Sequence, residues 1–187
     1  MSLSLARHYY FTAAEFESMG EAGILRKDAR LELIEGEIVE MSPIGSRHAA
    51  CVKFLSRFLN RAVGDEFIVS TQDPIRLNDF SEPQPDVALL RLRDDFYKNA
   101  HPTPADVLLV IEVADTSVEY DRQVKASLYA KAGIAEYWLV NLPDEQIEIY
   151  ARPENGAYQL VTHARGPDAA ESHSLASLSV SVAEVIG

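Results

Sequence analysis

Residues 108–125 read LLVIEVADTSVEYDRQVK. The run from Val107 to Ile111 is apolar and largely β-branched, the pattern of a buried strand. Glu112 stands at its end and Val113 continues it. An unpaired charge taken into such surroundings is costly even after relaxation, so the stretch predicts a central strand with a positive partner beside Glu112. The residues that follow predict a helix near 120–132, which Gly133 terminates.

Working outward, "AEYWLVN", "QIEIYAR" and "AYQLVTHA" read as three more strands, joined by "LPDE" and "PENG". A polar tail follows from 165, with a final apolar stretch at 175–186. Upstream, strand-like pieces fall at 66–71, 74–77 and 86–91. Ser46 is a candidate N-cap for a helix over 47–63, with Cys51, Phe54, Leu55, Phe58 and Ala62 on one face. "RLELIEGEIVEM" alternates around Glu35-Gly36 as a hairpin does. Thr12 and Glu15 form a capping box, and Phe11 and Phe16 a hydrophobic staple, for a short first helix ended by Gly20 and Gly23. The expectation is one mixed α/β domain over 1–187, with two helices packed on a central sheet.

The chain of 187 residues can bury a substantial core, and 47% apolar with 25% charged residues is globular composition. No run approaches the length of a bilayer span, and "MSLSLARHYYFTAAEF" lacks a signal-peptide h-region. The single cysteine, Cys51, excludes an internal disulfide, and a cytoplasmic location is the simplest reading. Cys51 itself reads as a small core residue. A net charge of −12 argues against general backbone-led nucleic-acid binding. Yet Met41–Gly64 holds no acid, and Lys53, Arg57 and Arg61 repeat every four residues there as a basic stripe.

Phosphate loops, dinucleotide fingerprints and nucleophile elbows are absent. The histidines, His8, His48, His101, His163 and His173, have no zinc-motif spacing. Acids at strand ends remain. Asp86 follows Pro85 at the head of "PDVALL", and Glu112 lies late in its strand. On neighbouring strands the two would repel unless one took a proton or a hard divalent cation took oxygen ligands from both. Alternatively, Asp86 caps a turn and Glu112 pairs with a Lys or Arg. Lys125 lies one turn after Asp121 and one before Tyr129, on a helix whose Val124, Leu128 and Ala132 face the sheet. From the flank of that face it can reach the carboxylates, to orient or deprotonate a water or to stabilise phosphate charge. Its plainer alternative is an i,i+4 pair with Asp121.

These residues resemble the PD-(D/E)XK nuclease superfamily. "IEVADTSVEYDRQVKASLYAKAGIAEYWLV", with "LELIEGEIVEMSPIGSRH" upstream, is similar to the Uma-type family of restriction-endonuclease-like sequences, from about Thr12 to Tyr150. The specific signal is Y-D-x-x-x-K-x-x-x-Y followed by G-I and E-Y-W. The resemblance implies a restriction-endonuclease-like mixed sheet flanked by helices, Mg²⁺-dependent cleavage of DNA phosphodiesters (Mn²⁺ as a substitute), and a homodimer. Asp86 and Glu112 match the metal-binding acids. Ala114 stands where the E-x-K form expects lysine, and Lys125 is its substitute. Glu32 matches an acid that can approach the metal, or faces solvent on the hairpin. His48 supports the site or is structural. Tyr129, Glu136 and Trp138 match family positions but read as packing. Lys53, Arg57 and Arg61 are the candidate DNA-contacting face. Two other functions compete: a non-catalytic or regulatory DNA-binding domain that keeps the fold, and a metal-dependent hydrolase of small phosphodiesters.

Overall fold

The computed structural model describes residues 8–26 and 28–187, so the signal-peptide reading rests partly on residues outside them. Helix α1 (Ala13–Glu21) starts as expected: Thr12 Oγ1 accepts from the Glu15 N–H, and the Glu15 carboxylate accepts from the Thr12 N–H. The hairpin β1 (Leu31–Ile34) and β2 (Glu37–Glu40) turns at Glu35 and Gly36, both at positive φ. A Cβ on Gly36 would come within 2.6 Å of the Tyr10 Cβ, so that position excludes a side chain.

Helix α2 (Ser46–Val63) is capped by Gly45, not Ser46. The backbone is already extended at Gly45, so the helix begins one residue earlier and Ser46 lies inside it. Cys51, Val52, Leu55 and Leu59 are its buried positions, with Phe54 and Phe58 partly buried beside them. Ala62, expected on that face, is exposed, because the apolar stripe ends with Leu59 and Val63.

Next come β3 (Phe67–Ser70), β4 (Val87–Arg91) and β5 (Val107–Ala114). Segment 74–77 is not a strand. The N–H groups of Ile75 and Leu77 go to the carbonyls of Pro83 and Ser81 in one loop, and that of Arg76 goes to Pro102 in another. Ile75 and Leu77 are buried nonetheless, which is why their alternation mimics a strand.

The crossover after β5 is helical: α3 (Val118–Tyr120), a π-turn over Asp121–Lys125, then α4 (Ala126–Ala132), closed by Gly133 in the left-handed conformation. Leu128 packs inward as expected and Ala132 partly so, but Val124 is exposed and Lys125 is buried. The inward face is set by the partners waiting for Lys125, and the apolar neighbour yields to them. Strands β6 (Glu136–Asn141), β7 (Gln146–Glu154) and β8 (Ala157–Arg165) follow. The chain ends in a small hairpin, β9 (Ala169–Glu171) with β10 (Ser179–Ser181), and α5 (Val182–Ile186).

The main sheet has the order β3-β4-β5-β6-β7-β8, with β5 and β6 parallel and every other pair antiparallel. A parallel pair needs a crossover, which the helical segment supplies. One face, with Leu89, Ile111, Val113, Trp138 and Val140, packs under α2 and α5. The other, with Ala88, Val110, Tyr137 and Leu139, packs under α4. The expectation of two helices on the sheet therefore resolves into one on each face, joined by α5.

Candidate active site

Antiparallel register pairs Val87 with Ile111, which sets Asp86 and Glu112 side by side at the ends of two central strands. The Asp86 N–H donates to Glu112 Oε2 at 3.2 Å, and the Val113 N–H donates to Asp86 Oδ2 at 3.0 Å. His48, from the first turn of α2, lies 2.9 Å from the same oxygen through Nε2, and Gln72 Nε2 donates to Oδ1 at 3.1 Å. Burial alone would favour the neutral acid, but His48, the Val113 N–H and Gln72 hold the Asp86 carboxyl below the usual range.

Lys125 supplies the positive partner of Glu112. Its Nζ donates to Glu112 Oε1 at 3.1 Å and to Glu32 Oε1 at 2.6 Å. Tyr129, one turn on, donates its hydroxyl to Glu112 Oε1 at 2.7 Å, and the Gln84 N–H donates to Glu32 Oε1 at 2.7 Å. Burial pushes Glu112 up to about 8; Lys125 opposes this, while Asp86, Asp121 and Glu32 add to it. Burial works against the charge on Lys125, yet Glu112 and Glu32 raise its pKa and keep it protonated. A lysine so held can orient groups and offset negative charge in the cleft.

Glu32, His48, Asp86, Glu112 and Lys125 line one cleft of about 400 Å³, together with Asp121 and Tyr120. Glu32, Asp86, Glu112 and Asp121 are all buried carboxylates, against one buried ammonium and His48. The donor set is hard and oxygen-rich, with a surplus of negative charge, and fits a divalent cation that takes ligands from two carboxylates and keeps several waters. The ligand atoms of Glu32, Asp86 and Glu112 do not all lie within 4.8 Å of one another; Lys125 holds Glu32, and His48 holds Asp86. Among the described residues, the set whose ligand atoms do fall within 4.8 Å of one another is Glu17, Glu82 and His101. There the Arg76 guanidinium pairs with both Glu17 and Glu82, at the place a cation would take.

Other expected residues separate from the cleft. Lys53, Arg57 and Arg61 are exposed. At 3.6 residues per turn they lie roughly 140° to 220° around α2 from His48, on the far side of the helix. Cys51 is buried in the core, and burial pushes its thiol up to about 12. Glu136 is buried; it accepts from Trp138 Nε1, Ser172 Oγ and the Ser174 N–H, so it fastens the C-terminal segment to β6.

Three participants escaped the sequence reading. Tyr129 carried a signal in the K-x-x-x-Y spacing, which places both residues on one helix face. Asp121 sat in the same string, read only as a partner for Lys125; it instead accepts from Ser117 Oγ at 2.6 Å. Gln72 carried no signal, since it reaches Asp86 from a loop in which it holds a left-handed backbone at φ 57°.

A mixed sheet with two acids on neighbouring central strands, and a lysine brought to them by the covering helix, defines a restriction-endonuclease-like α/β fold. The chain matches the model of the Uma2 family, described as "Putative restriction endonuclease", over residues 13–183, and it belongs to that family. The crystal structure of a protein from Anabaena variabilis ATCC 29413, described as a "putative nuclease belonging to DUF820", aligns with a TM-score of 0.73. The two are 17% identical, over 94% of this chain and 97% of that one, a likeness of fold. No curated protein matches. No helix among the described residues is long and apolar enough to cross a membrane.

Proposed function

We propose that this protein is a divalent-metal-dependent endonuclease that hydrolyses DNA phosphodiesters. The observation that carries this reading is the imbalance in the cleft: four buried carboxylates face one lysine at the junction of two central strands. Asp86 and Glu112 would hold Mg²⁺ or Mn²⁺, and Glu32 would approach it through water. Such an ion, when bound, lowers the pKa of its water and offsets charge on the phosphate. Asp86 is kept ionised by His48, Gln72 and the Val113 N–H, and so stays ready to ligate. Tyr129 and Lys125 fix the Glu112 carboxylate at Oε1 and would leave Oε2, which among the described residues meets only the Asp86 N–H, toward the metal. Lys125 also brings a fixed positive charge to the cleft, where a transition state gains negative charge. Lys53, Arg57 and Arg61 would contact phosphates away from the cut, along the flank of α2. A cytoplasmic location and a homodimeric state go with this reading.

The test is incubation of the purified protein with plasmid and with single-stranded DNA under Mg²⁺ or Mn²⁺. Nicking of either supports the reading, and no cleavage under either metal overturns it. One observation favours a second reading. The cleft is acidic and the basic stripe faces away from His48, which suits a small phosphodiester better than long DNA. Faster turnover of a chromogenic phosphodiester than of plasmid would select that alternative.

A further inference from the structure

We infer that Asp121 is the catalytic residue that takes the proton from the attacking water. The inference rests on the hydrolase reading above and assigns a step within it. Among the buried acids of the cleft, the others are committed. Asp86 receives three donors, and Glu112 receives Lys125, Tyr129 and the Asp86 N–H. Glu32 spends its charge on Lys125. Lys125 Nζ is itself engaged by Glu32 and Glu112.

Asp121 differs in that, among the described residues, neither a cation nor a backbone N–H bonds its carboxylate. It lines the cleft and is 6% exposed. Oδ2 accepts from Ser117 Oγ at 2.6 Å, whereas Oδ1 takes part in no hydrogen bond among the described residues. That anchor fixes the carboxylate and leaves one oxygen for a water. A π-turn puts it there: the Ala126 N–H reaches back to the Asp121 carbonyl, and both Asp121 and Lys125 turn inward. Widened turns of this kind are frequent at functional sites. Burial raises the Asp121 carboxyl to about 6; Ser117 and Lys125 lower it, and Asp86, just before β4, and Glu32, on β1, raise it further. A base near that value is well matched to neutral pH.

The step balances simply. One water O–H bond breaks and its proton goes to Asp121 Oδ1, while the water oxygen forms a bond to phosphorus. The P–O bond to the leaving group breaks, and the departing oxygen keeps the electron pair and takes a proton from solvent.

The test compares wild type, Asp121→Asn and Asp121→Glu on whichever DNA the wild type cleaves, with pH–rate profiles, DNA affinity and melting with and without Mg²⁺. Asp121→Asn should retain DNA affinity and the Mg²⁺-induced rise in Tm, lose roughly 10²–10⁴-fold in kcat, and lose the acidic limb of the profile. Asp121→Glu should recover part of the rate. Cleavage by Asp121→Asn within about threefold of wild type, or an unchanged acidic limb, overturns the assignment while leaving the hydrolase reading intact. Loss of the Mg²⁺ response in Asp121→Asn also overturns it, since Asp121 would then belong to the metal's own support. A wild type inert toward every substrate fells the hydrolase reading and this step with it.

Discussion

The Lys125 ammonium lies 2.6 Å from Glu32 Oε1, joining the helical crossover to a hairpin 93 residues earlier in the chain. Both groups are buried, at 3% and 1% exposure, and the same ammonium also serves Glu112. This ion pair fixes the helix against the hairpin and places both acids around one charge. A buried pair stabilises little in net terms, yet breaking it from one side is expensive.

Lys125→Met tests that asymmetry. It leaves Glu32 and Glu112 without their cation, and the metal-free protein should lose about 3–5 kcal/mol by urea denaturation. Added Mg²⁺ should restore part of the loss, because it would supply the missing positive charge. A variant as stable as wild type would mean that the carboxylates are neutral in the fold.

Glu112→Gln should behave differently. The amide oxygen can still accept from Tyr129, and Lys125 keeps Glu32. The fold should stay within about 1–2 kcal/mol of wild type. Mg²⁺ at a hundredfold excess over Kd should stabilise wild type by about 2.7 kcal/mol. Asp86→Asn and Glu112→Gln should each lose that gain in thermal melts, along with cleavage. A wild type indifferent to metal, beside a Glu112→Gln protein that barely folds, would reduce the cluster to a structural ion pair.

The parts of this site that were legible in the sequence were those with a local physical signature. A carboxylate at the end of an apolar β-branched run has to find a partner, and Glu112 did. Asp86 followed from the adjacent strand, and Lys125 from its place one turn before Tyr129. The reach of Lys125 from the flank was legible but its burial in place of Val124 was not, because Val124 offers the better apolar phase and only the tertiary carboxylates outweigh it. Segment 74–77 misled for a related reason: alternate burial of Ile75 and Leu77 arises in a loop pressed on the core as readily as in a strand. Gln72 depends on a left-handed loop backbone that no periodicity announces.

Glu148 gives a pH prediction away from the cleft. Arg122 donates to it from Nε and Nη2, at 3.1 and 2.6 Å, and Tyr150 and Asn141 add further donors. Burial opposes its charge, but these donors lower the carboxyl to about 2 from 4.5. The folded pKa is the depressed one, so the stabilisation is fully present above 4.5 and fades as pH falls toward 2. At 1.36 kcal/mol per unit the whole effect is about 3 kcal/mol. Urea midpoints should therefore drop between pH 5 and pH 3 in wild type, and Glu148→Gln should remove that part of the drop while lowering stability at pH 7. Parallel curves for the two proteins would show that Arg122 does not hold Glu148 in solution.

The basic stripe on α2 decides how nucleic acid meets this fold. Lys53, Arg57 and Arg61 are exposed and regularly spaced, but His48, which marks the cleft side of α2, points the other way. A duplex seated on the cleft can reach the stripe only by bending around the helix or by extending past its flank. If it does so, the triple alanine variant should bind with a salt slope shallower by about 0.9 for every phosphate it no longer neutralises. Cleavage of a dinucleotide-sized substrate should be unchanged, because the stripe does not touch the reacting group. Fluorescence anisotropy at several salt concentrations, on a duplex and on a short oligonucleotide, measures the binding half, and a cleavage assay on the short substrate measures the other. Unchanged affinity and slope on the duplex would make the stripe a solvated helix face, and would shift the weight toward a small phosphodiester as the substrate. Loss of activity on the short substrate as well would mean that the stripe supports α2, and through it the hydrogen bond between His48 and Asp86.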